Sequence, residues 1–296
     1  MLRLRHNFSQ VFPPAPQFTE KQLGDLAGKV YIVTGANTGV GKALAEILYA
    51  ANAKVYVAAR SKSKGNEAIE AIKGACQESK GTLVFLPLDL ADLTTIKASA
   101  SEFLAKETKL HVLFNNAGVM SPPDGSKTAQ GYELQLGTNN IGTFLFTKLL
   151  TPTLVSTASS EAAASVRVVW VSSSAAEIVS PRGGVPLDNL DYHQNQSPAY
   201  KYGVSKAGNY FHSAEFARRH RESGIVSIAL NPGNLRTDLF RHRLGLERSL
   251  FSALIQYPPI YGAYTELFAG LSPDITMEQS GLWGKLPCLW RKLSVS

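Results

Sequence analysis

The sequence predicts an α/β fold: a single doubly wound parallel sheet with helices on both faces. Two observations predict it. Short runs rich in β-branched and aromatic residues alternate with longer stretches whose apolar residues recur at helical spacing. The glycines and polar residues that break this pattern fall just after the short runs, where the carboxyl ends of parallel strands gather and ligands bind. No repeat, low-complexity tract or linker divides the chain. At 296 residues, with 44% hydrophobic and 18% charged, it buries a sizeable core without disulfides and is neither disordered nor collagen-like.

Taken in order, residues 1–20 read as an irregular arm, because Pro13, Pro14 and Pro16 block a helix there. The arm is basic but lacks the apolar core and cleavage site of a signal peptide. Residues 21–296 form one domain. Its strands are predicted at Lys29–Thr34, Lys54–Ala59, Thr82–Leu88, His111–Asn115, Val166–Ser172 and Ile225–Leu230. Helical spacing marks Gly41–Asn52, Leu93–Glu107, Asn139–Leu150 and Ala199–Arg221. At the last of these, Ser197 is placed to cap and Pro198 to open the helix. Leu235–Tyr264 is predicted to be a substrate lid, with Leu239, Phe240, Leu244, Leu246, Leu250 and Phe251 among its apolar residues. Arg236, Arg241, Arg243 and Arg248 in this stretch read as a solvated helix face or as a site for an acidic group.

The net charge of +7 favours anionic ligands, but the bases are scattered among acids, so no nucleic-acid partner is expected. Cys76 and Cys288 are too few and too far apart for a zinc site or a disulfide framework; no metal is expected, and a reducing cytoplasm is the simplest setting. Nowhere do eighteen apolar residues run together as a membrane span requires. The basic arm and the tail GLWGKLPCLWRKL read as a covering arm and a buried tail in preference to membrane-surface contacts.

The first strand runs into TGANTGVGKALAEIL, so Gly35, Gly39 and Gly41 lie between a strand and a helix, with Asn37, Thr38 and Val40 interleaved. Such a loop lets backbone approach a pyrophosphate, and the helix N-terminus offers free N–H groups. After the second strand, Ala59 stands where an acid would hold a ribose 2′-hydroxyl, and Arg60 follows it. Arginine pairs with a 2′-phosphate, and Lys62 and Lys64 add positive potential, which favours NADP(H); a solvated basic loop is the alternative. In YGVSK, Tyr202 and Lys206 share one helix face a turn apart, and the ammonium is expected to draw the phenol's pKa toward the working range. Ser173 ends the fifth strand, where a hydroxyl can bond a substrate carbonyl; Ser172 and Ser174 compete for that role.

The TGxxxGxG spacing, NNAG at Asn115–Gly118, the Y-x-x-x-K pair and NPGNLRT at Asn231–Thr237 together resemble the short-chain dehydrogenase/reductase family, from about Gly28 to Gly284. The insert before Tyr202 and the segments YPPIYGAYTELFAGLS and SGLWG resemble the branch of retinol dehydrogenases and WW-domain oxidoreductases, although Asn231 stands where that branch usually has histidine. The resemblance implies a Rossmann-type fold, often dimeric or tetrameric, that reduces a carbonyl or oxidises the matching alcohol. It implies a catalytic set of Ser173, Tyr202, Lys206 and Asn139, the last positioning a water that links the lysine to solvent; Asn140 is adjacent. It also implies adenine contacts from Asp89 and Leu90, ribose-side contacts from Asn116, Ala117 and Gly118, and nicotinamide contacts from Pro232, Leu235 and Thr237. The apolar lid suits a lipophilic ketone, aldehyde or alcohol. An NADP-binding sensor without turnover is the competing class, which the intact four-residue set disfavours.

Overall fold

A computed structural model describes residues 15–236 and 256–284. Six strands, β1 Val30–Thr34, β2 Lys54–Ala59, β3 Thr82–Pro87, β4 Val112–Asn115, β5 Arg167–Val171 and β6 Val226–Leu230, are joined by a two-residue β7 at Trp283–Gly284. All pair in parallel in the order β3-β2-β1-β4-β5-β6-β7. The order reverses between β1 and β4, which opens a crevice at their carboxyl ends.

The helices in chain order are α1 Gly39–Ala50, α2 Lys62–Ala75, α3 Leu93–Leu104, α4 Thr143–Ala158, α5 Pro198–Arg219 and α6 Pro259–Leu271. Alternate strand residues feed two cores, as the two-residue period of a strand requires. Val33, Val57, Phe114, Val169 and Ile228 pack with Leu44 and Leu48 of α1, Ile69 and Ile72 of α2 and Leu267 of α6. Ile32, Tyr56, Leu113, Val168 and Trp170 pack on the other face with Phe103 of α3, Phe146 and Leu150 of α4 and Tyr210 of α5. Ser197 Oγ accepts the Tyr200 N–H at 3.2 Å and Pro198 opens α5, the predicted start.

Two features depart from the sequence reading, and a third bears on the arm. Lys62–Ala75 is a helix capped by Ser61, so Lys62 and Lys64 sit in its first turn and not in a loop. Asn139 lies in a π-helical segment, Gly137–Gly142, that runs into α4. The arm is fastened at its end: Phe18 is buried with its ring edge-on to Phe268 of α6 at 6.0 Å. Residues 1–14 and the tail beyond Gly284 lie outside the described residues, as does lid stretch 237–255 with Thr237 and three of its arginines. That stretch leaves and re-enters the fold at one point. Arg236 N–H donates to the Tyr257 carbonyl and Tyr257 N–H to the Asn234 carbonyl, each at 2.9 Å. The remainder of the lid range, Pro259–Tyr264, is the start of α6, where Ala263 is fully buried. Among the described residues no helix is long and apolar enough to cross a membrane.

Candidate active site

The glycine loop lies over the start of β4's NNAG segment. Gly35 has φ +69°, and a Cβ there would come within 3.0 Å of Ala117 Cα. At Gly41 a Cβ would meet Asn116 Nδ2 at 2.5 Å and the Gly35 carbonyl at 2.8 Å, so only glycine lets α1 start this close. Asn116 Nδ2 donates to the Thr34 carbonyl at 2.7 Å, and Ala117 N–H donates to Thr34 Oγ1 at 2.9 Å. NNAG therefore ties β4 to β1 and gives the loop a floor. The Asn116 amide is engaged in that tie. The first turn of α1 carries Gly39, Val40 and Gly41 at the crevice, behind an extended Thr38. Arg60 is exposed at the end of β2, with Lys62 and Lys64 in the turn beyond it. Asp89 Oδ1 accepts the Ala91 N–H at 2.9 Å, and Leu90 is buried. Beyond β6, Gly233 N–H donates to Asn231 Oδ1 at 3.2 Å, turning the chain at Pro232, and Leu235 is buried against α6.

The catalytic candidates converge at the ends of β4 and β5. The Tyr202 hydroxyl faces the Ser173 hydroxyl, which acts to lower its pKa. Ser172 Oγ donates to the Lys206 backbone carbonyl at 2.6 Å, which spends its hydroxyl on anchoring α5. Ser174 opens the turn that follows, leaving Ser173 as the serine that meets the tyrosine. Lys206 Nζ donates to the Val171 carbonyl at 2.8 Å, lies 5.8 Å from the Tyr202 ring centroid, and approaches Gly118 so closely that a Cβ there would be 3.3 Å away.

Asn139 is fully buried; its Oδ1 accepts the Val119 N–H at 2.7 Å, and its Nδ2 donates to the Val119 carbonyl at 2.9 Å and Ser205 Oγ at 3.0 Å. Asn140 faces away, with Nδ2 donating to the Ser205 carbonyl and Oδ1 taking the His212 Nε2 proton. Burial pushes His212 down to about 4, so its ring is neutral and Nε2 is the donor.

The electrostatics correct one expectation. Burial pushes Tyr202 up to about 12, and the Ser173 hydroxyl opposes this; Lys206 does not bring the phenol toward neutrality. Burial pushes Lys206 down to about 8, and the carboxylate of Glu266 opposes that. The desolvation of both groups outweighs an ammonium directed at the Val171 carbonyl. Sequence reasoning missed Glu266. Its signal is a lone acid between Gly262 and Gly270, four residues to either side, in an apolar helix. Ser205, Thr34 and Gln135, whose Oε1 accepts the Ser121 N–H, also shape the site.

A cleft of about 570 Å³ is lined by Pro122, Pro123, Leu190 and Tyr192 together with Asp124, Lys127, Gln130, Glu133 and Lys201, and by none of Ser173, Tyr202, Lys206 and Asn139. It joins the turn after NNAG to the insert preceding Tyr202.

Comparison with known proteins agrees with this architecture. The family model for short chain dehydrogenase matches residues 29–185. A short-chain dehydrogenase/reductase of Phomopsis amygdali is 58% identical over 290 residues, covering 95% of this chain and 86% of that protein. The short-chain dehydrogenase/reductase sthC of Phaeosphaeria nodorum is 48% identical, covering 94% of this chain and 90% of its own length. Among solved structures, the RhlG/NADP active-site complex of Pseudomonas aeruginosa shares the fold with TM-score 0.69 at 22% identity, over 92% of this chain and 98% of that one. The chain belongs to the short-chain dehydrogenase/reductase family of oxidoreductases.

Proposed function

We propose that this oxidoreductase uses NADP(H) to reduce a ketone or aldehyde of a lipophilic small molecule in the cytosol, and oxidises the matching alcohol in reverse. The observation that carries the reading is the buried Tyr202, facing Ser173 and one helical turn from Lys206 at the carboxyl ends of the central strands. The residues present fit a dinucleotide. A side chain at Gly35 or Gly41 would fill the cradle over NNAG, and the α1 N-terminus opens onto it. Arg60, with Lys62 and Lys64 in the first turn of α2, would hold a 2′-phosphate. Two lysines at a helix N-terminus oppose the helix dipole, a cost that a bound phosphate offsets. Asp89 and Leu90 would flank the adenine, and Pro232, Leu235 and Thr237 the nicotinamide.

A bound nicotinamide supplies or accepts the hydride. With its pKa near 12, Tyr202 holds its proton at neutral pH and is ready to donate it to a carbonyl oxygen as charge develops there. The Ser173 hydroxyl orients that oxygen and then bonds the phenolate left behind. Lys206, as an ammonium, stabilises the phenolate and would engage the ribose hydroxyls. Both polar atoms of the Asn139 side chain are spent on Val119 and Ser205, so any relay water at this residue is held by its backbone. The support for a lipophilic substrate is the sequence of 237–255, which carries Leu239, Phe240, Leu244, Leu246, Leu250 and Phe251.

The test is NADPH absorbance loss across a panel of lipophilic ketones, aldehydes and quinones. Turnover that Tyr202→Phe abolishes while NADPH still binds is the expected result; turnover undiminished in that variant overturns the assignment. Arg60→Ala is expected to weaken NADPH binding and leave NADH binding unchanged, and equal loss for both would refute the 2′-phosphate role.

A further inference from the structure

The carboxyl end of β5 carries a backbone carbonyl that the sheet does not use. Asn115 with Trp170 is the last pair between β4 and β5, and Val171 lies one residue beyond it. Were the ladder to run on, the Val171 carbonyl would take the Ala117 N–H; that N–H donates instead to Thr34 Oγ1 at 2.9 Å. The carbonyl is left outside the ladder, and α5 supplies its donors. Lys206 Nζ donates to it at 2.8 Å and Asn209 Nδ2 at 3.1 Å. The two side chains are three residues apart on one face of α5, so both reach the same oxygen, whose two lone pairs can accept both.

Packing does not explain the asparagine. Asn209 is 2% exposed, and this donation is the one hydrogen bond its side chain makes among the described residues; its buried Oδ1 meets no donor. An apolar side chain would fill the position with no polar atom to desolvate, so the amide is a cost there unless its donor is needed. Nor is it needed to fasten the strand. Ser172 N–H donates to the Leu230 carbonyl at 2.8 Å, and Ser172 Oγ ties the strand to the Lys206 carbonyl at 2.6 Å. What Asn209 adds is a second donor on the oxygen that holds the ammonium. The bond from Lys206 to that oxygen is buried, so a carbonyl that the ammonium left would otherwise go unpaired.

We propose that Asn209 is a positioning residue that acts through Lys206: it keeps the Val171 carbonyl paired, so that the ammonium can turn from that carbonyl to the nucleotide ribose and the phenolate. This rests on the role of Lys206 given above. With Asn209 in place, the carbonyl goes from two donors to one when the lysine turns. Without it the lysine is the sole side-chain donor, and turning away leaves a buried acceptor unpaired. The asparagine thus sets how firmly the strand holds the lysine, and so how strongly the lysine engages the cofactor.

The test is a double-mutant cycle on nucleotide binding. Dissociation constants for NADPH and NADH are measured by nucleotide fluorescence with the wild type, Asn209→Leu, Lys206→Met and the variant carrying both changes. Melting temperatures are taken in parallel without nucleotide. Asn209→Leu is expected to weaken both nucleotides about tenfold, because the ribose that the lysine meets is common to them. In the Lys206→Met background the same change should leave binding unaltered, since no ammonium remains to be released. An asparagine that only packs would lower the melting temperature and alter binding equally in both backgrounds. Unmoved binding in Asn209→Leu, or equal weakening with and without the lysine, overturns the proposal. Asn209→Ala covers the case in which the leucine variant does not fold, with the same outcomes read from it. If Lys206→Met binds both nucleotides as tightly as the wild type, the role of Lys206 fails and this one with it. A wild type that binds nucleotide but turns over no carbonyl counts against the proposed function alone, and the cycle is still read.

Discussion

The two ends of the central strands each hold a carboxylate near cations, and they treat it in opposite ways. At the amino ends, Glu161 accepts hydrogen bonds from Lys29 at 2.6 Å and Lys109 at 2.8 Å, and its Oε1 lies 3.3 Å from His111 Nε2. Those bonds, Lys109 foremost, push its carboxyl down to about 2. His111 Nδ1 accepts the Val30 N–H at 2.9 Å, so the ring proton is on Nε2 and faces Glu161. At the carboxyl ends, Glu266 has no hydrogen-bond donor, and burial pushes its carboxyl up while the phenol above it also holds its proton. One end pairs its carboxylate with cations and fastens strands; the other leaves its carboxyl without a hydrogen-bond donor and holds its lysine on a single backbone carbonyl. Changes at the two ends should therefore separate, with rate lost at one and stability at the other.

The largest effect is expected at the reactive end. Tyr202→Phe should lower turnover on the order of 10²–10⁴-fold, because the hydroxyl is the proton donor. Its melting temperature should stay at or above that of the wild type, since the change removes a buried hydroxyl and leaves the ring in place. A parallel loss of stability and rate would mean that the tyrosine belongs with the structural end.

Next comes Arg167, the first residue of β5. It is buried, and its guanidinium donates to four backbone carbonyls, three of them at the end of α6 and just beyond. Arg167→Leu leaves those carbonyls without donors and should cost on the order of 3 kcal/mol in urea unfolding. At temperatures where the variant is folded, kcat should match the wild type. A fall in kcat without loss of stability would join the two ends that the comparison separates.

Gly41→Ala tests the crevice itself. The added methyl meets Asn116 Nδ2 and the Gly35 carbonyl, and a backbone carbonyl cannot give way as a flexible side chain can. The loop must lift from its floor, and NADPH binding measured by fluorescence should weaken about tenfold, about 1.4 kcal/mol. Unchanged binding would show that the cradle is wider than its contacts imply.

How much of this was legible in the sequence follows from the range over which each signal acts. The six long strands were found within a residue or so because four to six β-rich residues carry their own pattern; β7 has two residues and carries none. Helix α2 is not marked by the sequence, where a basic loop was the alternative reading of its start, because only Gly65, Ala68, Ile69 and Ile72 of its fourteen residues are buried, too sparse a stripe to stand out. The π segment at Asn139 differs from an α-helix in its hydrogen bonds and not in apolar spacing, so periodicity gave no sign of it. Tyr202, Lys206 and the glycine loop were legible because their partners lie within a few residues. The choice of Ser173 over Ser172 needed the fold, since it depends on one hydroxyl meeting a helix backbone and the other a side chain. Glu266 was missed for the same reason: it is sixty residues from the lysine it acts on.

The smallest effect belongs to Glu161, and its sign is fixed by linkage. The folded-state pKa lies below the usual carboxylate value, so the stability it contributes is fully present above about 4.5 and is lost as pH falls toward about 2. Lys29 and Lys109 are 39% and 46% exposed, so solvent screens the pairs, and Glu161→Gln should cost no more than about 1 kcal/mol at pH 7. The cost should shrink in 1 M salt, where the Debye length is about 3 Å. Protonating His111 on Nδ1 would break its bond to Val30, so acid weakens this end by a second route that the glutamine variant retains. Urea unfolding of both proteins between pH 7 and pH 3 distinguishes the routes. The gap between them should narrow below pH 4.5 while both continue to lose stability. A gap that stays constant to pH 3 would mean that Glu161 acts by packing, and that the contrast between the two ends of the sheet is not one of charge.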